Sequence, residues 1–592
     1  MKKLIKNLML CSLAGAISLF TINFNYAQTT TLNGVTRDGF KGVKKMDENG
    51  YYIQFTESEG TGKNAKKTMR LMVLGNSLQT ASDFKMEIKS SEKIEDVAYN
   101  NGKFMVITSS YSDQTRTFRI MDRDGKELTK KELTNVNRRL LNKTANIIPL
   151  DTAGFLVINY VKDKRKGYSL ELYNDNLEPK YSHEYIPEKK NLYPVDCKIS
   201  GGMMYILEFL SPDYSDYFEY HIAGVDLASG KMLFNNTLVS ADGKAHGYAT
   251  FLKLSPAGNV ITAGMYFNND HEKSANSDGF FGAVTDKSGK INFNYKDWNE
   301  VKDQLKNKST STMWGGKTKT FIHDVDINAD GTFTLIGENY RRGDAELAGG
   351  KNRTMATLGK LSSDSDDPYK EAVTISEFAL FDFDAGGSFK SLRKISKPET
   401  VTIIKPSPDD PPFVGEEKGL NLANILNNNG RFPYRFTAEK GTNKVLVYDI
   451  TYEKLYTERL YFTRLNAEQL DTASVEITNS VLQVQKELDA EITKKQGSLG
   501  KLMKKMDASN GDDIQNEFYV KGSEDPHDFR AKEINSRVLP SNIPGKVLVY
   551  DFAPPESTSQ DSKAKKNWIS SYYTNMDAAM AGNLKISYVD IP

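Results

Sequence analysis

A glycine turn followed by a short apolar run returns along this chain every 50 residues or so, and that rhythm restricts the fold more than any other feature. Gly50 precedes Tyr51-Tyr52-Ile53-Gln54-Phe55, Gly102 precedes the run 103–108, and Gly154 precedes 155–160. Gly202, Gly258 and Gly331 open the runs 203–209, 259–267 and 332–337. The steps between these glycines are 52, 52, 48, 56 and 73 residues. Two more copies share one sequence, Lys444-Val445-Leu446-Val447-Tyr448-Asp449 and Lys546-Val547-Leu548-Val549-Tyr550-Asp551, offset by 102. Repeats at this period belong to solenoids and propellers, and alternation of apolar and polar residues excludes a helical solenoid.

A second turn runs in phase with the first. Asp124-Gly125-Lys126, Ser229-Gly230-Lys231, Ser288-Gly289-Lys290 and Ala385-Gly386-Gly387 each separate two strand-like runs, and Asn174-Asp175-Asn176 does so in the third unit. Tight hairpins need positive φ, which Gly adopts freely and Asn or Asp tolerate best. Each unit therefore reads strand, tight turn, strand, variable loop, strand, tight turn, strand. The fifth is the clearest, with runs at 250–254, 260–267, 279–285 and 291–295. Four antiparallel strands per ~50 residues is a propeller-blade period, and eight copies exceed what one sandwich holds. The expected fold is all-β: a propeller of seven or eight four-stranded blades, with segment 29–41 or the C-terminal strand completing an early blade and closing the ring. The 592 residues, which ~150 residues per domain would divide into about four domains, then form one large unit.

Three stretches depart from the repeat. The sixth unit carries a long loop from Asn339 to Ala372. Residues 396–431, with Lys405-Pro406-Ser407-Pro408 and Pro411-Pro412, read as an extended connector. Across 476–508, Ile477, Val481, Val484, Leu488 and Ile492 are spaced as one face of an amphipathic helix, packed on the propeller or docking a partner. The chain thus divides into a leader at 1–27, blades 1–7 at 28–474, a helical insertion at 475–525, and a final blade or closure at 526–592.

The leader is read from Met1-Lys2-Lys3-Leu4-Ile5-Lys6, the apolar run Leu8–Ile22 and a polar segment ending Tyr26-Ala27-Gln28: a secretory signal peptide cut after Ala27. Its apolar run is shorter than the ~20 residues a membrane-spanning helix needs, and no later segment reaches that length. The expected location is the periplasm, the outer cell surface or the medium. The chain holds 78 basic and 77 acidic residues, and the leader takes three lysines and no acid, leaving a net charge of −2. With no basic block, nucleic acid is not an expected partner. Cys197 remains as the one thiol, so no internal disulfide is available, and its strand-like setting reads as structural.

Chemistry is sparse. The histidines 183, 221, 246, 271, 323 and 527 form no HxH or HExxH pair, and neither a nucleophile elbow nor a phosphate loop occurs. Asp326-Ile327-Asn328-Ala329-Asp330-Gly331 begins like a calcium loop, but its twelfth position is Gly337, and the run sits where other units turn. No metal, cofactor or catalytic residue is assigned. Binding candidates come from the loops between second and third strands, which crowd one end of a propeller: Ser109–Gln114, Lys162–Gly167, Ser211–Tyr220, Asn268–Asp278 and Asn339–Ala372. In them or beside them lie Tyr214, Asp216, Tyr217, His221, Tyr266, His271, Tyr340 and Arg341, and variable loops on a rigid scaffold are where binding residues concentrate.

The hairpin units with their D-G-K turns, the leader and the Lys/Asn/Tyr-rich composition resemble uncharacterised secreted β-propeller-like proteins of Bacteroidota-type bacteria. The resemblance lies in rhythm and implies no active-site motif. The expected function is a non-catalytic, exported module that binds protein or glycan through its loop face. The alternatives are a carboxylate-based hydrolase of glycans or peptides, and a structural component of an envelope complex.

Overall fold

A computed structural model describes residues 29–35, 39–46, 50–59, 66–141, 145–150, 153–162, 166–188, 190–211, 218–249, 251–268, 277–305, 319–344, 371–406, 423–424, 426–427, 430–452, 455–465, 472–491, 515–520, 537–554, 565 and 582–592. Its strands pair into eight antiparallel blades arranged as a β-propeller. Seven blades are contiguous in sequence, at 40–88, 92–133, 146–185, 191–237, 246–297, 319–395 and 434–477. The strands of each blade are lettered A to D in chain order. A strands of blades 2 and 3, 4 and 5, 6 and 7, and 7 and 8 touch one another along the axis, whereas D strands such as Glu127–Leu133 alternate exposed and half-buried along the rim.

The eighth blade closes the ring. Val538–Pro540, Lys546–Ala553 and Gly582–Asp590 supply its A, B and C strands, and Thr29–Val35 supplies D. The N-terminal segment therefore completes the last blade rather than an early one, with pairs running from Thr29↔Ser587 to Val35↔Gly582. Leu32 and Val35 point inward and join Tyr51, Ile53 and Phe55 of blade 1 and Leu584 and Ile586 of blade 8 in one buried cluster. The two ends of the chain meet in a shared core.

The B strands are the apolar runs that carry the repeat. Val260–Phe267 is buried along its whole length, and Lys103–Ser110 at all but its first residue. A strand sandwiched between two neighbouring blades must be apolar on both faces, which explains continuous runs where a half-exposed sheet would alternate.

Antiparallel order puts the A–B and C–D turns on one face of the ring, the turn face, and the B–C and D–A connections on the other, the loop face. On the turn face an Asp or Asn opens the C–D hairpins of blades 2 to 6. Asp122 accepts backbone N–H bonds from Asp124 and Lys126, Asp286 from Ser288 and Lys290, and Asp384 from Gly386 and Ser388; Asn174 does the same for Asn176 and Glu178. The glycine of the turn has a second duty. A β-carbon on Gly125 would lie 2.3 Å from the Phe84 ring of the preceding blade, and one on Gly289 would lie 2.5 Å from Phe234. Asn236 Nδ2 adds a bond to Gly289 O, and His183 Nε2 one to Ser229 O.

Nearer the axis, A strands carry bulges. In blades 2, 4 and 6 the residue after the bulge is Asp96, Asp196 or Asp324. Asp96 accepts from Ile147 N of blade 3 and Asp196 from Leu252 N of blade 5, while Asp324 accepts from Tyr434 OH of blade 7. Lys44 of blade 1 and Lys253 of blade 5 reach forward to Asp96 and Asp324 at 3.1 and 3.0 Å. The Asp326–Gly331 run is a hairpin turn, and Lys444 Nζ of the next blade sits among Asp326 Oδ2, Ile327 O and Asn328 Oδ1. A lysine ammonium sits among the oxygens of the calcium-loop-like run.

Two departures from the repeat differ from the sequence reading. Within the connector 396–431, Thr400–Pro406 is a strand paired with Glu371–Ile375, and Ala423 and Leu426, followed by Phe432, enter the main core cluster. Apolar residues in a Pro- and Asn-rich tract outweigh its loop composition once a core lies beneath them. Ile477 ends the D strand Thr472–Ile477, so the helix starts at 480 and is described to 491, with Val481, Val484 and Leu488 buried together. Within the expected helical insertion, Gln515–Val520 forms a strand parallel to Thr400–Pro406. No helix among the described residues is long and apolar enough to cross a membrane.

Gly289 and Gly102 separate backbone strain from crowding. Both have positive φ, but nothing lies within 4 Å of a β-carbon at Gly102. Gly102→Ala should cost the left-handed strain alone, ~1–2 kcal/mol. Gly289→Ala should cost ~1–3 kcal/mol more from overpacking against Phe234, read as a difference in denaturant midpoints.

Candidate functional site

The loop face concentrates the buried charge of the protein. Its pairs begin at the A-strand bulges, whose extra residue turns into the fold. In blade 2 this is Glu95, bonded to Arg116 at 3.0 Å and to Ala145 N of blade 3, with side-chain exposures of 0% and 6% for the pair. In blade 6 it is His323, 3.0 Å from Glu338, whose other oxygen lies 3.1 Å from Lys397. Burial alone would raise Glu338, but Lys397, His323 and the Tyr434 N–H hold its carboxyl down at about 2. In blade 7 it is Arg435, 2.6 Å from Asp449.

Blade 8 repeats blade 7 one unit later. Arg537 and Asp551 stand where Arg435 and Asp449 stand, 102 residues on, and pair at 3.0 Å. The shared Lys-Val-Leu-Val-Tyr-Asp motif thus ends each time on the carboxylate of a buried Arg–Asp pair. Arg537 also bonds Glu458, tying blade 8 to blade 7, and Asp551 accepts Ser480 N and Oγ at the start of the helix 480–491. Buried pairs of this kind add little net stability, yet removing one partner strands a charge at ~3–5 kcal/mol.

Blade 4 holds the network around His221. Its Nδ1 lies 2.6 Å from Asn235 Oδ1 and its Nε2 2.7 Å from Glu219 Oε1. Asn235 is oriented by its own donation to Glu208 Oε2, whose other oxygen accepts from Tyr168 OH of blade 3. Thr237 Oγ1 also lies 3.3 Å from His221 Nε2, so both ring nitrogens of His221 have polar partners. Glu219 also meets Lys190, and the hydrogen bond from His221 leads the effects that hold its carboxyl at about 2. Glu208 differs: its hydrogen bonds come from a phenol and an amide, and burial raises its pKa.

The candidate residues are spread over three blades. His221 is the centre of the blade 4 network. Tyr266 is 2% exposed, its ring 4.8 Å from that of Tyr295, and Gly279 leaves the space its edge occupies. Tyr340 is 5% exposed, edge-on to Phe432 just after the connector, and Arg341 beside it is 7% exposed. Burial raises both phenols well above their ordinary range. Tyr266 and Tyr340 belong to one core cluster that also holds Phe432. Among the described residues, His221, Tyr266 and Tyr340 share no hydrogen bond or ring contact. Tyr214, Asp216, Tyr217 and His271 lie outside the described residues. Cys197 lies on the A strand of blade 4, where burial pushes its thiol up to about 12.

The bulge residues Glu95, His323 and Arg435 escaped sequence reading because their partners lie on other strands. One signal was available: an Arg 14 residues before the Asp in both copies of the repeated motif. Among the described residues no cluster of three or more His, Cys, Asp or Glu could hold a metal.

Residues 27–478 match the model of a family of unknown function (DUF6770). A search of curated proteins finds no match. Among solved structures, the chain is similar to the β-propeller domain of the Trilobed protease from Pyrococcus furiosus, at 8% identity and TM-score 0.30 over 61% of this chain and 96% of that one. It is similar to a europium-containing methanol dehydrogenase at 9% identity and TM-score 0.39, over 95% and 93% of the two chains. It is also similar to the polysaccharide lyase Uly1 at 9% identity and TM-score 0.32, over 93% and 90%.

Glu219 offers a test by pH. Its folded pKa lies below the ordinary ~4.3, so its stabilisation is complete above about pH 5 and disappears as pH falls toward 2. Glu219→Gln should therefore be less stable than the parent at pH 7, with the two melting temperatures converging as pH approaches 2.

Proposed function

We propose that this chain, which belongs to the family of unknown function DUF6770, is an exported, non-catalytic binding module that takes a protein or glycan ligand on its loop face. The observation that carries the reading is the division of labour between the two faces. The turn face is spent on fixed blade-to-blade contacts, while the loop face carries the long insertions over a stiff floor of buried ion pairs. Three insertions converge beside blade 6. The extended B–C hairpin of blade 6, the 6-to-7 connection and the 7-to-8 connection join edge to edge, as Glu371–Ile375, Thr400–Pro406 and Gln515–Val520. Strands added outside a blade enlarge a surface without altering the ring, which is the arrangement expected of a recognition face.

Most buried carboxylates on this face already have a cationic partner: Glu95, Glu338, Asp449, Glu458 and Asp551 are each held by Arg, His or Lys. A glycosidase pair needs one carboxyl held protonated beside an ionised one, both free to meet substrate. This favours binding over hydrolysis. The helix 480–491 has its apolar side turned inward, which favours a bracing role for it over partner docking.

Two experiments test the reading. The mature protein recovered from an exporting Gram-negative host should begin at Gln28; a chain that keeps its leader in the cytoplasm would refute export. Replacing 212–217, 269–276 and 345–370 with Gly-Ser linkers should leave the melting temperature nearly unchanged and abolish capture of at least one ligand on a glycan array or peptide library. Cleavage of array glycans or peptides by the parent chain would replace the binding reading with the hydrolase one.

A further inference from the structure

We propose that the loop face over blades 2 and 3 is a binding site for an acidic glycan, with Tyr111 as stacking platform and Arg138 as the carboxylate-reading group. This names a ligand class for the loop-face reading above and rests on it.

Tyr111 stands at the tip of the B–C hairpin of blade 2 and is 50% exposed, unlike the buried Tyr266 and Tyr340. Isolated exposed aromatics are common, so exposure alone would say little. Here the tip is held in place without a ligand. Asp113 accepts from Ser110 Oγ at 2.8 Å, Ser91 Oγ at 3.0 Å and Ser112 Oγ at 3.3 Å. The 2-to-3 connection is stitched to the same hairpin by Val136 N donating to Gln114 O at 2.9 Å. Gln114 and Asn135, on either side of that stitch, both have positive φ, at 54° and 59°. Non-glycine residues hold that conformation at a cost, and two of them fix these adjoining loops.

The stitch places Arg138, exposed in the short helix Arg138–Leu141, with its guanidinium 5.4 Å from the centre of the Tyr111 ring. Leu141 of the same turn is buried and anchors it. An aromatic ring is a flat apolar surface for the C–H face of a sugar, and a guanidinium is a planar fork that matches a carboxylate. A uronate ring presents both features within one residue.

Charge along the neighbouring connections agrees. Segment 134–143 carries Arg138, Arg139 and Lys143 and no acid, and the B–C segment of blade 3 is Lys162-Asp163-Lys164-Arg165-Lys166. The corresponding segments of blades 4 and 5 run the other way, with Asp213 and Asp216, then Asp270, Glu272 and Asp278. By sequence, the connections of blades 2 and 3 that adjoin the Tyr–Arg pair are basic, whereas those of blades 4 and 5 are acidic. The carboxylate of Asp113 lies close to the platform, but three hydroxyl donors already occupy it.

Affinity electrophoresis of the full mature chain through polygalacturonate, neutral dextran or no polymer tests this, with phosphatidylglycerol vesicles in a parallel flotation assay. Polygalacturonate should retard the protein, and less so as salt rises from ~0.05 to ~0.2 M. Tyr111→Ala and Arg138→Ala should each weaken retardation about tenfold with unchanged melting temperature, and Arg138→Lys should restore only part of it, because the charge returns without the fork. Equal retardation in dextran, flotation with vesicles in place of polymer binding, or variants that match the parent would each overturn the proposal. So would no retardation at all. If an array ligand is still captured in a way that the blade 4–6 linkers abolish, the loop-face reading stands while this site falls.

Discussion

Where Phe234 of blade 4 lies against Gly289 of blade 5, two blades meet with no room for a β-carbon, and Gly125 with Phe84 repeats the contact between blades 1 and 2. Propeller blades are wedges, so the distance between neighbours at the rim decides whether eight of them close a circle. A turn that needs glycine for its backbone and again for its neighbour fixes that distance twice over. The Asp or Asn that opens the C–D hairpins of blades 2 to 6 holds the same turn from within. Conformation, spacing and closure are set by the same few residues.

Once the turn face carries that task, the loop face is released from it. Connections there vary from the few residues after Ser110 to the long insertions of blades 6 to 8, and the ring tolerates them because they leave the glycine contacts untouched. The buried ion pairs lie at this end. A charge sealed under a loop is costly to disturb, so each pair ties its strands to one geometry. Arg537 shows the consequence most directly: it reaches Glu458 of blade 7 and Asp551 of blade 8, and Asp551 in turn holds the first residue of the helix.

Much of this was legible in the residues. Val260–Phe267 and Gly279–Thr285 have the same ends in the sequence reading as in the fold, because the turns that bound them need particular residue types. Blade number was not legible. The eighth blade takes its last strand from Thr29–Val35, more than 500 residues from its partner, and no local pattern in a seven-residue strand says which edge it will join. Charged residues at the bulges were invisible for a related reason. A bulge exists only in a pairing register, and Glu95 or His323 reads as an ordinary strand residue until Ile94 and Asp96, or Ile322 and Asp324, are seen to flank the shift. Among the binding candidates, Tyr266 and Tyr340 lie beside loops in sequence, yet their rings turn back into the inter-blade core, while Tyr111, in an equally loop-like segment, is exposed.

The closing strand also decides which way the molecule faces. In blade 8 the C strand runs from Gly582 at the loop face to Asp590 at the turn face, and Thr29 pairs with Ser587 near its far end. Thr29 and the last residue, Pro592, therefore emerge together on the turn face. Whatever precedes Thr29, from a leader in transit to a tether, attaches on the side already occupied by blade contacts. The Tyr111–Arg138 pair stands on the opposite, loop face, so a chain attached ahead of Thr29 leaves the face proposed for recognition open.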